Sequence, residues 1–186
     1  VAGFDLSAPM IERAREKAKL SLRKIRYECM DAAEFELGET YDAAFSFFDS
    51  LNYITDPERL RHAFKRVAAH LRPGGSFIFD LNTAYAFEAK MFDQKNLKKT
   101  AKVRYDWRGD WDPEARIIHV HMKFWSDGGE TQETHIQRAH SDEEIRTWMR
   151  EAGFTDIRRY HSYTLNPARA KSDRVHYTAV LGEGAE

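Results

Sequence analysis

The sequence predicts an α/β fold, a doubly wound, mostly parallel sheet that carries an antiparallel β-meander insert. Over the first half of the chain, short apolar runs ending on an acid alternate with helix-patterned stretches, the rhythm of parallel strands joined by crossover helices. From residue 102 onward the rhythm changes to three longer segments of alternating polarity, joined by WDPEAR and SDGGE. One helix signal and two strand signals then close a chain whose 186 residues suffice for one sizeable core.

Val1–Phe4 is a short apolar run ending at Asp5, consistent with the last residues of a buried parallel strand. Ser7 can cap the helix that follows, with Pro9 tolerated in its first turn and Ile11, Ala14 and Ala18 on one face. Ile25–Met30 predicts the next strand, ending at Asp31, and Tyr41–Phe48 a third, ending at Asp49. Asp56-Pro57 opens a helix as cap and first position, and its apolar face runs Leu60, Phe64, Val67, Ala68 and Leu71. Arg72-Pro73-Gly74-Gly75 stops it, and Ser76–Phe79 predicts a fourth strand ending at Asp80.

Lys102–Trp111, Arg116–Trp125 and Glu130–His140 predict a three-stranded meander. In its middle strand Ile118, Val120, Met122 and Phe124 alternate with His119, His121 and Lys123, as on a half-exposed antiparallel strand. Ser141-Asp-Glu-Glu144 is a capping-box pattern for a helix with Ile145, Trp148, Met149 and Ala152 on one face, stopped by Gly153. Thr155–Ser162 and Arg174–Leu181 predict a closing hairpin, and Gly182–Glu186 a frayed tail. The organisation expected is therefore a core over residues 1–83, a β-rich insert over 84–140 acting as a lid, and a helix and hairpin over 141–186 that complete the core.

Lysine and arginine number 29 against 30 acids, a balance that argues against a nucleic-acid binder. Aromatic content of 13% suits a folded domain with a lined pocket. Cys29 is the single cysteine, so no intrachain disulfide can form and a cytoplasmic setting is expected. No apolar run approaches the ~20 residues of a membrane span. Within its strand, Cys29 is expected to be a small buried apolar side chain.

In an open parallel sheet, ligands collect at the carboxyl ends of the strands. Four strand signals in succession end on an acid: Asp5, Asp31, Asp49 and Asp80. An ionised carboxylate only accepts hydrogen bonds, so it can take two from a ribose diol, or one from an exocyclic amine. For any single acid, turn formation is the simpler account; four in register point to a nucleotide-like ligand.

The series GFDLS, MDA, FSFFDSLNY, LRPGG and FIFDLNT resembles a class I S-adenosylmethionine-dependent methyltransferase of the small-molecule branch, with a β-rich insert after the fifth strand. The resemblance is close over residues 1–83 and moderate over 141–181. It implies S-adenosylmethionine as cofactor, with Asp5 on the ribose hydroxyls, Leu6 against the adenine, and Asp31 on the adenine amine beside the Ala32 amide. Phe48 and Asp49 would close the floor under the methionine part, while Asn52, Tyr53 and Asn82 would face the substrate. The family's glycine-rich loop belongs on a strand and helix ahead of Val1, and an acid like Asp5 sits ~20 residues beyond such glycines. That strand would lie between those ending at Asp5 and Asp49, and without it the 186-residue polypeptide is expected to bind the cofactor weakly or not at all.

Methyl transfer to an amine needs little help from a base; transfer to a hydroxyl needs one, and Tyr53, His119 or His121 are the candidates. His119, His121 and His135 could together hold Zn²⁺, but with no cysteine or firm carboxylate to complete the pattern no metal is expected. Tyr53, Tyr105, Trp107, Trp111 and Trp125 could line a pocket, or simply pack the insert on the sheet. The expected partner is a small molecule, not a nucleic acid or a membrane, with self-association left open. Two other functions fit the same pattern: a nicotinamide-dependent oxidoreductase, and a non-catalytic methyltransferase-like partner subunit.

Overall fold

Each helix begins where a side chain satisfies its free amides. The computed structural model describes residues 1–183, so most of the expected tail lies outside the described residues. Ser7 caps α1 (Ala8–Leu20), which buries Ile11 and Ala18. Asp56 caps α2 (Pro57–Ala69), accepting from the amides of Glu58 and Arg59. Thr83 caps the short α3 (Ala84–Glu88), and the Ser141–Glu144 capping box forms in full ahead of α4 (Asp142–Glu151).

Two parallel pairs form, as the alternating pattern predicts. Strand β1 (Ala2–Asp5) pairs with β2 (Arg26–Cys29), bringing Asp5 opposite Cys29. Strand β3 (Tyr41–Ser46) pairs with β4 (Leu71–Asn82). The closing hairpin, β9 (Phe154–His161) and β10 (Arg174–Leu181), joins the second pair in the order β3-β4-β10-β9, with β10 antiparallel to both neighbours. β1 and β3 do not pair; a groove of about 510 Å³ separates them, lined by Gly3 and Phe4 on one side and Ala43–Ser46 on the other.

Strand β4 is longer than expected, starting at Leu71 instead of Ser76. Residues 72–75 bulge out between the Tyr41–Leu71 and Ala43–Ser76 pairs. Gly74 adopts φ 78°, and a β-carbon on Gly75 would lie 2.8 Å from the Arg72 carbonyl oxygen, so both positions need glycine. The insert is a four-stranded antiparallel sheet in sequence order, β5 (Gln94–Asn96), β6 (Arg104–Asp112), β7 (Ile117–Ser126) and β8 (Gly129–Arg138), one short strand more than predicted.

Two apolar clusters hold these layers. Leu60 and Phe64 of α2 and Ile145 and Met149 of α4 pack with Phe77, Phe79, Phe154 and Tyr177 of the β4-β10-β9 sheet. Ala86 and Phe87 of α3 pack under Ile118, Val120 and Met122 of β7. Cys29 corrects its expectation: it is exposed, because neither apolar cluster extends over β2. Among the described residues, no helix is long and apolar enough to cross a membrane.

Candidate active site

Beyond β3 the backbone passes through two left-handed residues, Phe48 (φ 62°) and Asp49 (φ 53°). That conformation costs a non-glycine residue roughly 1–2 kcal/mol, so the turn has to be held. The Asp49 amide donates to Asp80 Oδ1 (2.9 Å), and Gln137 Nε2 donates to Asp49 Oδ2 (2.7 Å). Arg174 joins both acids, donating to Asp49 Oδ1 (2.8 Å) and Asp80 Oδ2 (2.7 Å). Asp80 is 0% exposed and has this guanidinium as its nearest cation.

The turn delivers the single 3-10 turn Ser50–Tyr53. Within it, the fully buried Asn52 amide donates to the carbonyls of Asn82 (3.1 Å) and Arg138 (2.8 Å) and accepts from the Asn82 amide (2.9 Å). Asn52 thus spends its side chain tying this turn to β4 and β8, and no part of it faces a cleft. Replacing Asn52 with Ala is expected to lower stability by about 2 kcal/mol, since three buried backbone groups lose their partner; urea unfolding measures it.

Two clefts meet at Tyr53. The first, about 900 Å³, lies at the carboxyl ends of β1 and β2 and is lined by Asp5, Leu6, Met10, Met30, Asp31, Ala32, Leu51 and Arg59, among others. The Asp5 Oδ1 accepts from the Ser7 amide (2.8 Å), which fixes the carboxylate and leaves Oδ2 unengaged. Asp31 accepts from the Ala33 amide (2.8 Å) and from Arg59 (2.7 Å). Asp5 and Asp31 therefore face one common cavity.

The second cleft, about 510 Å³, runs between the insert and the core, with Asp49, Asn82, Phe92, Trp107, Val120, Phe124, Glu133, Gln137, Asp173 and Arg174 in its lining. Asn82 borders this cleft, its Nδ2 donating to Gln137 Oε1 (3.2 Å). Tyr53 and His135 line both clefts and form the wall between them. The Tyr53 hydroxyl lies 2.6 Å from His135 Nδ1, and His135 Nε2 lies 3.0 Å from a Glu133 carboxylate oxygen. A carboxylate only accepts, so Nε2 carries the proton and Nδ1 accepts from the phenol. Burial pushes the Tyr53 phenol above its ordinary pKa.

His119 and His121 do not reach either cleft. They project from the face of β7 opposite to Val120 and Met122, and His121 Nδ1 sits 3.2 Å from Thr134 Oγ1. The β7–β8 register places His119 opposite Ile136 and His121 opposite Thr134, with Val120 opposite His135. Directly opposite residues share a face, so His135 stands apart from the other two. Among the described residues no group of metal-ligating side chains forms. The register was accessible from sequence: counting back from a two-residue Asp127-Gly128 loop, a strong hairpin signal, brings Val120 to His135. Phe48, 74% exposed, lines neither cleft, and Asp49 borders the second cleft and not the first. Arg59, 28 residues from Asp31, had no sequence signal linking it to that acid.

A family model described as "Methyltransferase domain" matches residues 1–75. A second, described as "Activator of Hsp90 ATPase homolog 1-like protein", matches residues 52–162. That range cuts the central sheet, containing β4 but neither β3 nor β10, the two strands bonded to it. The "Putative methyltransferase YqeM" of Bacillus subtilis (strain 168) is 28% identical over 96% of this chain and 74% of its own length. A solved S-adenosylmethionine-dependent methyltransferase from Clostridium acetobutylicum ATCC 824 is 26% identical, with a TM-score of 0.88 over 97% of this chain and 74% of that one. The dTDP-3-amino-3,4,6-trideoxy-alpha-D-glucopyranose N,N-dimethyltransferase of Streptomyces venezuelae is 33% identical over 42% of this chain and 32% of its own length. The second family's range lies wholly within the stretch covered by the Clostridium structure, at that TM-score.

Proposed function

Because the chain belongs to the class I S-adenosylmethionine-dependent methyltransferases, we propose that its two clefts divide the reaction, the first holding the cofactor and the second a small-molecule acceptor. The observation that carries this reading is the convergence of Asp5 and Asp31 on one cleft, separated from the other only by Tyr53 and His135. A volume of about 900 Å³ is within the ~300–1,000 Å³ usual for ligand sites. The donor set fits as well: the free oxygen of Asp5 suits a ribose diol, Leu6 and Met10 offer an apolar wall for a purine, and Asp31 with Ala32 suits an exocyclic amine.

S-adenosylmethionine, when bound, supplies a methyl group on a positively charged sulfur, open to in-line displacement. The protein's own share is to fix the angle of approach and exclude water, and positioning of this kind can supply most of the rate. Asp5 and Asp31 orient the adenosine end, and Tyr53 and His135 stand where the clefts join and can hold or pass a proton. The insert, residues 84–140, forms the lid of the second cleft, while residues 1–83 and the described part of 141–186 make the core. A small-molecule acceptor is supported by the Streptomyces venezuelae relative, whose name describes an amino-sugar substrate. The nicotinamide-dependent and non-catalytic alternatives are not favoured, since the relatives described above are named methyltransferases. The lone, exposed thiol of Cys29 suits the reducing cytoplasm.

Because this chain spans 74% of the length of its relatives, calorimetric titration of the full-length gene product with S-adenosylhomocysteine tests the placement. Substituting Asp5 with Ala is expected to weaken binding by ~100-fold, the loss of charge-assisted bonds to the diol. Unchanged affinity would overturn the assignment of the first cleft.

A further inference from the structure

The second cleft has a charge pattern that selects among acceptors. Among the described residues Arg174 is the one permanent cation in its lining, and it is already committed to Asp49 and Asp80. Two carboxylates remain: Asp173, with no ion-pair partner among the described residues, and Glu133, whose contact is His135. Phe92, Trp107 and Phe124 provide apolar walls, and an aromatic face also attracts a cation. An anionic acceptor would meet uncompensated negative charge here, whereas a cation would be drawn in.

We propose, resting on the division of the clefts argued above, that the second cleft admits its acceptor as a protonated amine on an apolar or ring-shaped body, held by Glu133 and Asp173 and deprotonated through the chain Tyr53–His135–Glu133. An ammonium nitrogen has no lone pair to attack with, so the same charge that brings it in also blocks the reaction. The chain resolves this. The ammonium gives one proton to Tyr53 Oη as the phenol passes its own to His135 Nδ1, and the resulting imidazolium is held by Glu133. The neutral nitrogen then donates its lone pair to the methyl carbon, the carbon–sulfur bond breaks with its electron pair left on sulfur, and an N-methylammonium and a thioether result. Glu133 reaches solvent, so the proton can leave from His135. The raised pKa of Tyr53 keeps the phenol protonated, able to relay a proton but not to hold a charge. The charged and titratable groups around His135 are Tyr53, Glu133, Asp49, Asp173 and Arg174 in the second cleft, with Asp5, Asp31, Asp56 and Arg59 in the first.

The test uses cyclohexylamine, glucosamine, cyclohexanol and cyclohexanecarboxylate as probes, with calorimetric binding and transfer of a labelled methyl group as readouts. The amines are expected to bind at least ~10-fold tighter than the alcohol or the carboxylate, a preference lost in a Glu133→Gln, Asp173→Asn double variant. In His135→Asn and in Tyr53→Phe, kcat/KM for the amines is expected to fall ~100-fold at pH 7. It should recover toward the unsubstituted protein near pH 10, where amines lose their proton in solution. Equal binding of alcohol and amine, no transfer to either amine, or variant profiles parallel to the original would overturn the proposal. Each counts only while S-adenosylhomocysteine still binds; absence of that binding in the unsubstituted full-length gene product sinks the cofactor placement instead. Retained S-adenosylhomocysteine affinity in the variants confirms that they fold.

Discussion

Replacing Arg174 with Met is expected to destabilise the protein by about 3–5 kcal/mol. The guanidinium lies between two carboxylates, one of them fully buried, and it also closes the left-handed turn at Phe48 and Asp49. Removing it leaves Asp80 charged in the interior with only the more distant His176 Nε2, at 3.7 Å, as a counter-ion. Urea unfolding measures the loss, and combining the change with Asp80→Asn should recover part of it, because the substitutions act on one pair. Additive losses would mean that Arg174 and Asp80 do not couple. The same variant should disturb the second cleft, since Asp49 and Arg174 both line it.

Acidification is the second large effect. His140 is buried, its Nε2 donates to the Ile54 carbonyl (3.0 Å), and Nδ1 has no partner among the described residues. Burial, with Arg138 and Arg116 nearby, pushes its pKa down to about 4 from 6.5, against the opposing pull of the Ile54 hydrogen bond and Glu144. The unfolded chain therefore binds more protons than the folded one between these values, and stability rises with pH across that window. The contribution is complete above pH 6.5 and is lost as the pH falls through about 4, a total of about 3 kcal/mol for the two-and-a-half-unit gap. His140→Gln is expected to flatten this part of the stability profile, measured as the difference between the two proteins' urea midpoints from pH 7 to pH 4. Parallel profiles would show that His140 does not titrate on unfolding.

Much of the architecture was readable from local pattern. Ser7, Asp56 and Ser141 each cap the helix that their neighbours implied, because a cap satisfies amides two or three residues away. The strands before Asp5 and Asp31, and the alternation along β7, were legible for the same reason: burial of one face is written at a period of two or 3.6 residues. The closing hairpin formed as its two apolar runs suggested. The site was partly legible, since acids at strand ends must emerge at one edge of a parallel pair, and Asp5 and Asp31 do.

Sequence alone determined α1, α2 and α4, most of the strands and the end of the sheet where chemistry collects, since each depends on neighbours within a few residues; the short α3 and β5 carried no such signal. Tertiary structure decided which groups meet there. Tyr53 finds His135 from 82 residues away, and Arg174 finds Asp49 from 125. His119 and His121 turn to the far face of β7, although their alternation alone left the choice of face open. Cys29 stays exposed because neither apolar cluster extends over β2. These outcomes depend on strand order and on which face of each sheet packs inward, which arise from how whole faces meet and not from any local run of residues.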